Sequence, residues 1–192
     1  ACLLARRGLS VTAVDPAGAS LAVAGTKPGA DRVRWVHGYA TDLAPLQVDL
    51  VTMTANVAQV FLTDGEWALT LQAAYAALRP GGRLVFETRD PAAKAWLEWT
   101  RERSSKRIVV PGVGGVQSWV ELLGVSGELV WFRGTVVFES DGAVFISDST
   151  LRFRRRDELA ASLGAAGYLV DEVRGAPDRP GREMVFIARR AG

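Results

Sequence analysis

Short β-branched runs alternate with helix signals through the first half of the chain. Ser10–Val14 is the first such run, and Asp15-Pro16 directly after it is typical of a helix start, because aspartate caps the first turn and proline fits the first helical position. Further β-branched or apolar runs occupy residues 33–36, 49–54 and 83–88. This alternation predicts parallel strands joined by crossover helices, and therefore an open α/β sheet.

Two later helices are predicted from capping signals. Thr63-Asp64-Gly65-Glu66 has the spacing of a capping box, and apolar residues recur after it at helical intervals as far as Leu78. Asp90-Pro91 predicts a second helix that continues to about Arg103.

The pattern changes between residues 104 and 150, where several β runs occur without a helical period. Ser140-Asp141-Gly142 is a hairpin signal between two of these runs. A helix at 157–166 and strands at 168–173 and 183–189 then restore the α/β pattern. We therefore predict an α/β domain formed by residues 1–103 and 151–192, with an antiparallel β insertion at 104–150.

Composition excludes several classes of protein. The chain of 192 residues has one cysteine and one histidine, which leaves no residues for a disulfide framework or a Cys/His metal centre. Its apolar runs fall short of the roughly 20 residues of a membrane helix. A net charge of +2 gives little support to nucleic-acid binding. We expect a cytoplasmic protein with no metal, membrane or nucleic-acid partner, and we expect the arginines of 152–156 to form a solvated face.

Candidate site residues follow the predicted strands, because ligands of open parallel sheets bind beyond the carboxyl ends of the strands. Asp15 follows the first of these strands. Its carboxylate can accept hydrogen bonds from the ribose hydroxyls of an adenosine cofactor, cap the next helix, or do both.

Four segments resemble the class I S-adenosylmethionine-dependent methyltransferases, specifically their small-molecule branch. Ser10–Pro16 is similar to the second strand of that family, 38–43 to its adenine-binding loop, and 49–51 to its fourth strand. Leu78-Arg79-Pro80-Gly81-Gly82-Arg83-Leu84-Val85 resembles the entry to the fifth strand and is the most specific of the four. Residues 157–189 resemble the closing helix and antiparallel hairpin.

The resemblance implies a Rossmann-like, mostly parallel sheet that binds S-adenosyl-L-methionine. It also implies that the first strand and glycine-rich loop of the family would precede Ala1, so that the chain is expected to be a fragment. Tyr39 stands where the family usually has an acid, which leaves Asp42 or the backbone of residues 40 and 41 for adenine. The cofactor-binding residues expected from the resemblance are Asp15, Pro16, Tyr39, Ala40, Thr41, Asp42, Thr54 and Ala55.

Candidates for the acceptor chemistry also follow the predicted strands. For a hydroxyl acceptor the candidate general bases are His37, Tyr39, Glu87 and Asp90, although His37 can simply bond to loop backbone. Asn56 and Gln59 follow the strand that borders the transferring methyl group in the family, where their amides can orient an acceptor or satisfy loop backbone. Arg89 can bind a substrate carboxylate, although a structural pair with Glu87 or Asp90 is the expectation.

The function predicted from the sequence is therefore methyl transfer to a small-molecule acceptor, with the β insertion covering the acceptor site. Two alternatives stay open. A nicotinamide-dependent oxidoreductase also places an acid after its second strand. A non-catalytic interaction domain is consistent with the aromatic residues of 104–150, which can form a homodimer surface.

Overall fold

A computed structural model describes residues 1–43 and 45–192. Five α-helices and ten β-strands occur in these ranges. The helices are α1 (Cys2–Arg6), α2 (Gly18–Gly25), α3 (Asp64–Ala77), α4 (Arg101–Ser104) and α5 (Arg156–Ala165). The strands are β1 (Val11–Asp15), β2 (Val33–His37), β3 (Val48–Met53), β4 (Leu78–Arg89), β5 (Lys106–Val110), β6 (Gly114–Ser126), β7 (Leu129–Phe138), β8 (Val144–Arg152), β9 (Tyr168–Ala176) and β10 (Arg179–Arg190).

The strands form three sheets. β1 and β2 pair in parallel, and Asp15 lies opposite His37 at their carboxyl ends. The second sheet has the order β3-β4-β10-β9, with β3 parallel to β4 and β10 antiparallel to both of its neighbours. Glu183, four residues after the start of β10, therefore lies opposite Arg89 at the end of β4. The chain has an α/β fold with mixed pairing, and the predicted strands at 33–36, 49–54, 83–88, 168–173 and 183–189 are confirmed.

The main core lies between the second sheet and helices α3 and α5. Trp67 and Phe86 are almost completely buried and meet edge to face at 5.4 Å, and Phe86 stacks on Phe186 at 5.0 Å. The capping box predicted for α3 is confirmed, because the Glu66 amide donates to the Thr63 hydroxyl and the Thr63 amide donates to the Glu66 carboxylate. These reciprocal bonds satisfy two donors at the start of α3.

The continuous helix predicted from Asp90 to Arg103 is wrong. Short 3-10 turns at Pro91–Ala93 and Ala95–Glu98 are separated by Lys94, which has a left-handed backbone (φ 46°), and only α4 is α-helical. Trp96 and Trp99 in this segment both pack against Phe153, at 4.7 and 6.2 Å between ring centroids. Contacts with a distant part of the chain have therefore overridden the local helix signal.

Strands β5 to β8 form an antiparallel four-stranded sheet in sequential order. The predicted hairpin around Ser140–Gly142 joins β7 to β8. Phe132 on β7 contacts Trp99 at 5.0 Å, which connects this sheet to the segment that follows β4. None of the helices formed by residues 1–43 and 45–192 is long and apolar enough to cross a membrane.

The solvated face predicted for the arginines of 152–156 is wrong for Arg152 and Arg154, whereas Arg156 is exposed as predicted. Strand β8 ends at Arg152, so strand alternation does not apply to the residues after it. The Arg154 side chain is 3% exposed, lies over the Trp67 ring at 5.6 Å and donates to the Thr63 carbonyl. Arg152 is also largely buried and pairs with Glu128 and Asp64. The two arginines join the β5–β8 sheet to the start of α3.

Candidate functional site

Polar side chains gather at the carboxyl ends of β1 and β2 in an exposed cluster, which consists of Asp15, His37, Tyr39 and Asp42. The Ala17 amide donates to Asp15 Oδ1 at 2.7 Å. The helix start predicted at Asp15-Pro16 is wrong, because α2 begins at Gly18 and its N-cap is Ala17, which has an extended backbone and no side-chain cap bond. Asp15 Oδ2 has no hydrogen-bond partner in the described part of the chain. One oxygen of Asp15 therefore serves the fold, while the other is available to a ligand.

His37 lies at the end of β2 and is exposed. Its Nε2 is 3.0 Å from the Pro16 carbonyl oxygen, and its ring packs so closely on Gly18 that a Cβ there would lie 3.4 Å from Cε1. Because a carbonyl only accepts, this contact requires a proton on Nε2. These contacts give His37 a role in joining β2 to the segment that leads into α2. No side chain of the described residues orients its ring for the role of a general base.

The turn after β2 presents Tyr39 to solvent. Tyr39 is 63% exposed, and its backbone amide donates to Asp42 Oδ2 at 2.7 Å. Residues Ala40–Asp42 form a 3-10 turn. Gly38 permits this turn, because a Cβ at that position would lie 2.7 Å from Asp42 Oδ2. The expected adenine-side residues 39–42 therefore lie beside Asp15 on one edge of the molecule.

A second group, the buried cluster, lies at the carboxyl ends of β3 and β4 and consists of Asn56, Gln59, Arg89 and Glu183. Asn56 Nδ2 donates to Glu183 Oε1 at 3.1 Å, and Arg89 Nη1 donates to Gln59 Oε1 at 2.8 Å. Asn56, Gln59 and Glu183 are at most 5% exposed. Arg179 closes the cluster from the solvent side, with Nη1 2.5 Å from Glu183 Oε1.

Each of these three buried residues has a polar atom without a partner in the described part of the chain. The atoms are Asn56 Oδ1, Gln59 Nε2 and Glu183 Oε2. The orientation of both amides follows from their partners, because a carboxylate only accepts and a guanidinium only donates. The cluster therefore offers two free acceptors and one free donor.

The turn between β3 and the buried cluster is strained. Ala55 and Asn56 are consecutive non-glycine residues with left-handed backbones, at φ 60° and 59°. This conformation costs alanine about 1–2 kcal/mol, whereas asparagine adopts it more readily. The Ala55 amide donates to Glu87 Oε1 at 2.8 Å, and the Asn56 side chain bonds to Glu183. Carboxylates from two neighbouring strands thus hold the turn.

Arg89 does not form the predicted pair with Glu87 or Asp90. It bonds to Gln59 instead, and its guanidinium lies 5.7 Å from the centroid of the Trp99 ring. Burial lowers the pKa of Arg89, and the charge of Glu183 opposes this effect. Arg89 therefore serves the buried cluster from within the protein.

The structure separates the predicted site residues into two groups. Asp15, Pro16 and residues 37–42 meet at the end of the first sheet, whereas Thr54, Ala55, Asn56 and Gln59 meet at the end of the second. No hydrogen bond or ion pair between described residues joins His37 to Asn56 or Gln59. Sequence reasoning missed Glu183, although a glutamate directly before the apolar run 184–188 is a local signal that could have drawn attention to it.

Comparison with known proteins gives two kinds of match. Residues 1–82 match the family model described as a methyltransferase domain. No curated protein matches the chain by sequence.

Solved structures match the fold over nearly the whole chain. The CcbJ methyltransferase from Streptomyces caelestis has a TM-score of 0.73 at 20% identity, with 98% of this chain and 78% of that chain covered. CalS10, an amino pentose methyltransferase from Micromonospora echinaspora, has a TM-score of 0.67 at 25% identity, with 94% and 74% covered. The sugar N-methyltransferase KedS8 from Streptoalloteichus has a TM-score of 0.69 at 19% identity, with 94% and 71% covered.

Proposed function

We propose that this chain, which has the fold of the class I S-adenosylmethionine-dependent methyltransferases, transfers a methyl group from S-adenosyl-L-methionine to a small-molecule acceptor. The observation that carries this proposal is Asp15, an acid at the carboxyl end of β1 with one oxygen bonded to the Ala17 amide and the other free. It lies in the segment that matches the methyltransferase family model.

The residues of the exposed cluster suit the nucleoside part of this cofactor. Asp15 Oδ2 can accept from a ribose hydroxyl, and exposed Tyr39 can pack beside the adenine ring. Thr54 and Ala55, at the end of β3, are both exposed and would lie toward the methionine part. We infer these roles for Asp15, Pro16, Tyr39, Ala40, Thr41, Asp42, Thr54 and Ala55.

The cofactor supplies a methyl group on a sulfonium that is already a good leaving group. The chain then has to hold the acceptor in line with the methyl group and to exclude water. Such placement lowers the activation barrier by about 7–11 kcal/mol. Asn56 and Gln59, which are buried and fixed by Glu183 and Arg89, can orient polar groups of an acceptor. The nicotinamide-dependent oxidoreductase alternative is not favoured, because the matches are methyltransferases.

Calorimetric titration of S-adenosylhomocysteine tests this function. We expect the chain to bind it, and we expect Asp15→Ala to weaken binding about 10- to 100-fold, since a hydrogen bond to a charged group is worth roughly 1.5–3 kcal/mol. Asp15→Asn keeps an oxygen that can accept from the Ala17 amide and therefore separates the loss of the charge from the loss of this bond. Asp31→Ala, an exposed change outside both clusters, serves as the control. Absence of binding by the chain, both as it is and with the additional strand proposed below, would overturn the proposal.

The acceptors of the similar structures are in keeping with a small-molecule acceptor here. CalS10 acts on an amino pentose and KedS8 is a sugar N-methyltransferase. We propose that the β5–β8 sheet covers the acceptor site as an insertion in the α/β domain, because Phe132 and Phe153 pack on Trp99, which in turn lies over Arg89 of the buried cluster.

We also propose that two copies of the chain form a homodimer. Val144, Phe145 and Ile146 are 55–62% exposed on β8, which is an edge strand of its sheet. An antiparallel strand can pair with its own copy across a two-fold axis. Sedimentation of the chain and of Phe145→Lys tests this proposal, which requires a dimer that the substitution dissociates.

We also propose that one more strand joins the first sheet to the second. β1 pairs only with β2, and β3 only with β4, among the described residues. These two free edges support an additional strand between β1 and β3, where the family has its first strand. Rapid amide exchange along both edges of the present chain is the expected result, and full protection of both would count against this arrangement.

A further inference from the structure

The buried cluster contains more hydrogen-bonding capacity than the fold uses. A buried polar atom without a partner costs about 1–3 kcal/mol of folding stability. Three such atoms in one cluster therefore call for an explanation. All three residues lie at the carboxyl edge of the second sheet, where ligands of such sheets bind. The residues are Asn56, Gln59 and Glu183.

We propose that Glu183 and Asn56 form a subsite that holds an unprotonated amino group of the methyl acceptor. This inference rests on the proposed function and adds the chemical class of the acceptor. The two free oxygens, Glu183 Oε2 and Asn56 Oδ1, belong to side chains already joined by a hydrogen bond of 3.1 Å. A neutral primary amine has two N–H donors for these two oxygens, whereas a hydroxyl has only one.

The charges around Glu183 favour a neutral group over an ammonium ion. Arg179 lies 2.5 Å from Glu183 Oε1 and already balances the carboxylate. Arg89 stands opposite Glu183 in the β4–β10 register and adds a second positive charge. An ammonium ion would meet both guanidinium groups, so the carboxylate acts here as a hydrogen-bond acceptor more than as a counter-ion.

A cavity that Glu183 lines, and that Asn56 does not line, lies beside this subsite and has room for the rest of a small molecule. It has a volume of about 290 Å³ and is lined in part by Glu183, Asp90, Gly175 and Gly181. Arg156 and Arg174 also border it, and both can donate to hydroxyl groups. A molecule the size of a monosaccharide is compatible with this volume.

The turn at Ala55 and Asn56 combines an unusual backbone with the unpaired oxygen of Asn56. The left-handed backbone of Asn56 is maintained while its amide bonds to Glu183 and leaves Oδ1 without a partner. Residues held in such conformations cluster at ligand sites, where the surrounding contacts over-determine them. The turn thus places Asn56 Oδ1 as part of a preorganised subsite.

The test uses two probes that differ in one amino group, D-glucosamine and D-glucose. Each is titrated into the chain loaded with S-adenosylhomocysteine, and the carboxyl resonance of Glu183 is followed by NMR in a sample with labelled glutamate. The resonance is assigned by its loss in Glu183→Gln. We expect D-glucosamine to shift this resonance saturably, and we expect D-glucose to leave it in place.

The variants separate the subsite from general effects on the fold. Glu183→Gln is expected to weaken glucosamine binding about tenfold and to leave S-adenosylhomocysteine binding within about twofold. Glu102→Gln, an exposed change away from the cavity, is the matched control and is expected to change neither affinity. Thermal unfolding of Glu183→Gln checks that the variant is folded.

The pH dependence gives a readout that a purely structural Glu183 would not produce. Glucosamine affinity is expected to rise between about pH 6 and about pH 9, as the amine loses its proton. Equal shifts from both sugars, an affinity that falls with rising pH, or no shift of the Glu183 resonance would each overturn the amine subsite. Failure of the proposed function is seen separately, as failure of the unmodified chain to bind S-adenosylhomocysteine.

Discussion

The exposed cluster and the buried cluster occupy equivalent ends of two sheets but satisfy their polar groups in different ways. In the exposed cluster, side chains bond to nearby backbone, as Asp15 does to Ala17 and Asp42 to Tyr39. In the buried cluster, side chains bond to each other across the fold, as Asn56 does to Glu183. The first arrangement can be completed by solvent, whereas the second depends on its partners.

The two clusters also differ in how they accommodate unusual backbone. The exposed cluster has a glycine, Gly38, where Asp42 leaves no space for a Cβ. The buried cluster has Ala55 and Asn56 at positive φ with no glycine. Strain and unpaired polar atoms therefore coincide in the buried cluster, which indicates that it is maintained for a purpose other than stability.

The largest expected effect comes from removing Glu183. Glu183→Leu leaves the Asn56 amide without its acceptor and removes the negative charge opposite Arg89, which we expect to lower the free energy of unfolding by about 2–4 kcal/mol. Asp42→Ala removes one exposed bond and is expected to cost about 1 kcal/mol. Urea denaturation measures both, and equal losses would remove the distinction between the two clusters.

A smaller effect of opposite sign is expected at Ala55. Ala55→Gly relieves the left-handed strain but makes the unfolded chain more flexible, so we expect a net gain of about 0.5–1 kcal/mol in the free energy of unfolding. The matched control is Ala161→Gly on the exposed side of α5, which is expected to cost about 0.5–1 kcal/mol. If both substitutions destabilise the chain, the turn is not strained.

The sequence predicts these regions unequally because their signals have different ranges. The capping box of Thr63 and Glu66 lies within four residues, and α3 begins where it predicts. The segment after Asp90 carries an equally local helix signal, but Trp96 and Trp99 turn toward Phe153, about fifty residues away, and the helix breaks. Local patterns therefore hold where no distant contact opposes them.

The same argument applies to the candidate site. Asp15 and residues 39–42 are found from motifs that follow strands, and they lie together at one edge. Glu183 bonds to a residue 127 positions away, so only the pairing of β10 with β4 brings it to Asn56. A site assembled by strand order across the whole chain has no spacing that a sequence pattern could reveal.

The smallest expected effect concerns the exposed ion pair of Arg107 and Glu139, which lies outside both clusters. It tests whether exposure to solvent weakens polar contacts in this protein. Hydrogen bonds from Arg107 and Gln117 lower the pKa of Glu139 from 4.5 to about 2. Because the folded-state pKa is depressed, the stabilisation by Glu139 is present above about pH 4.5 and is lost as the pH falls toward about 2.

Thermal unfolding of the chain and of Glu139→Gln across this pH range measures the contribution. We expect the two melting temperatures to converge at low pH and to differ only slightly near neutral pH, because solvent and salt screen an exposed pair. Glu102→Gln, an exposed change that breaks no ion pair among the described residues, is the control. A large difference at neutral pH that persists in high salt would mean that exposure does not weaken such bonds here, and the contrast between the two clusters would then need another cause.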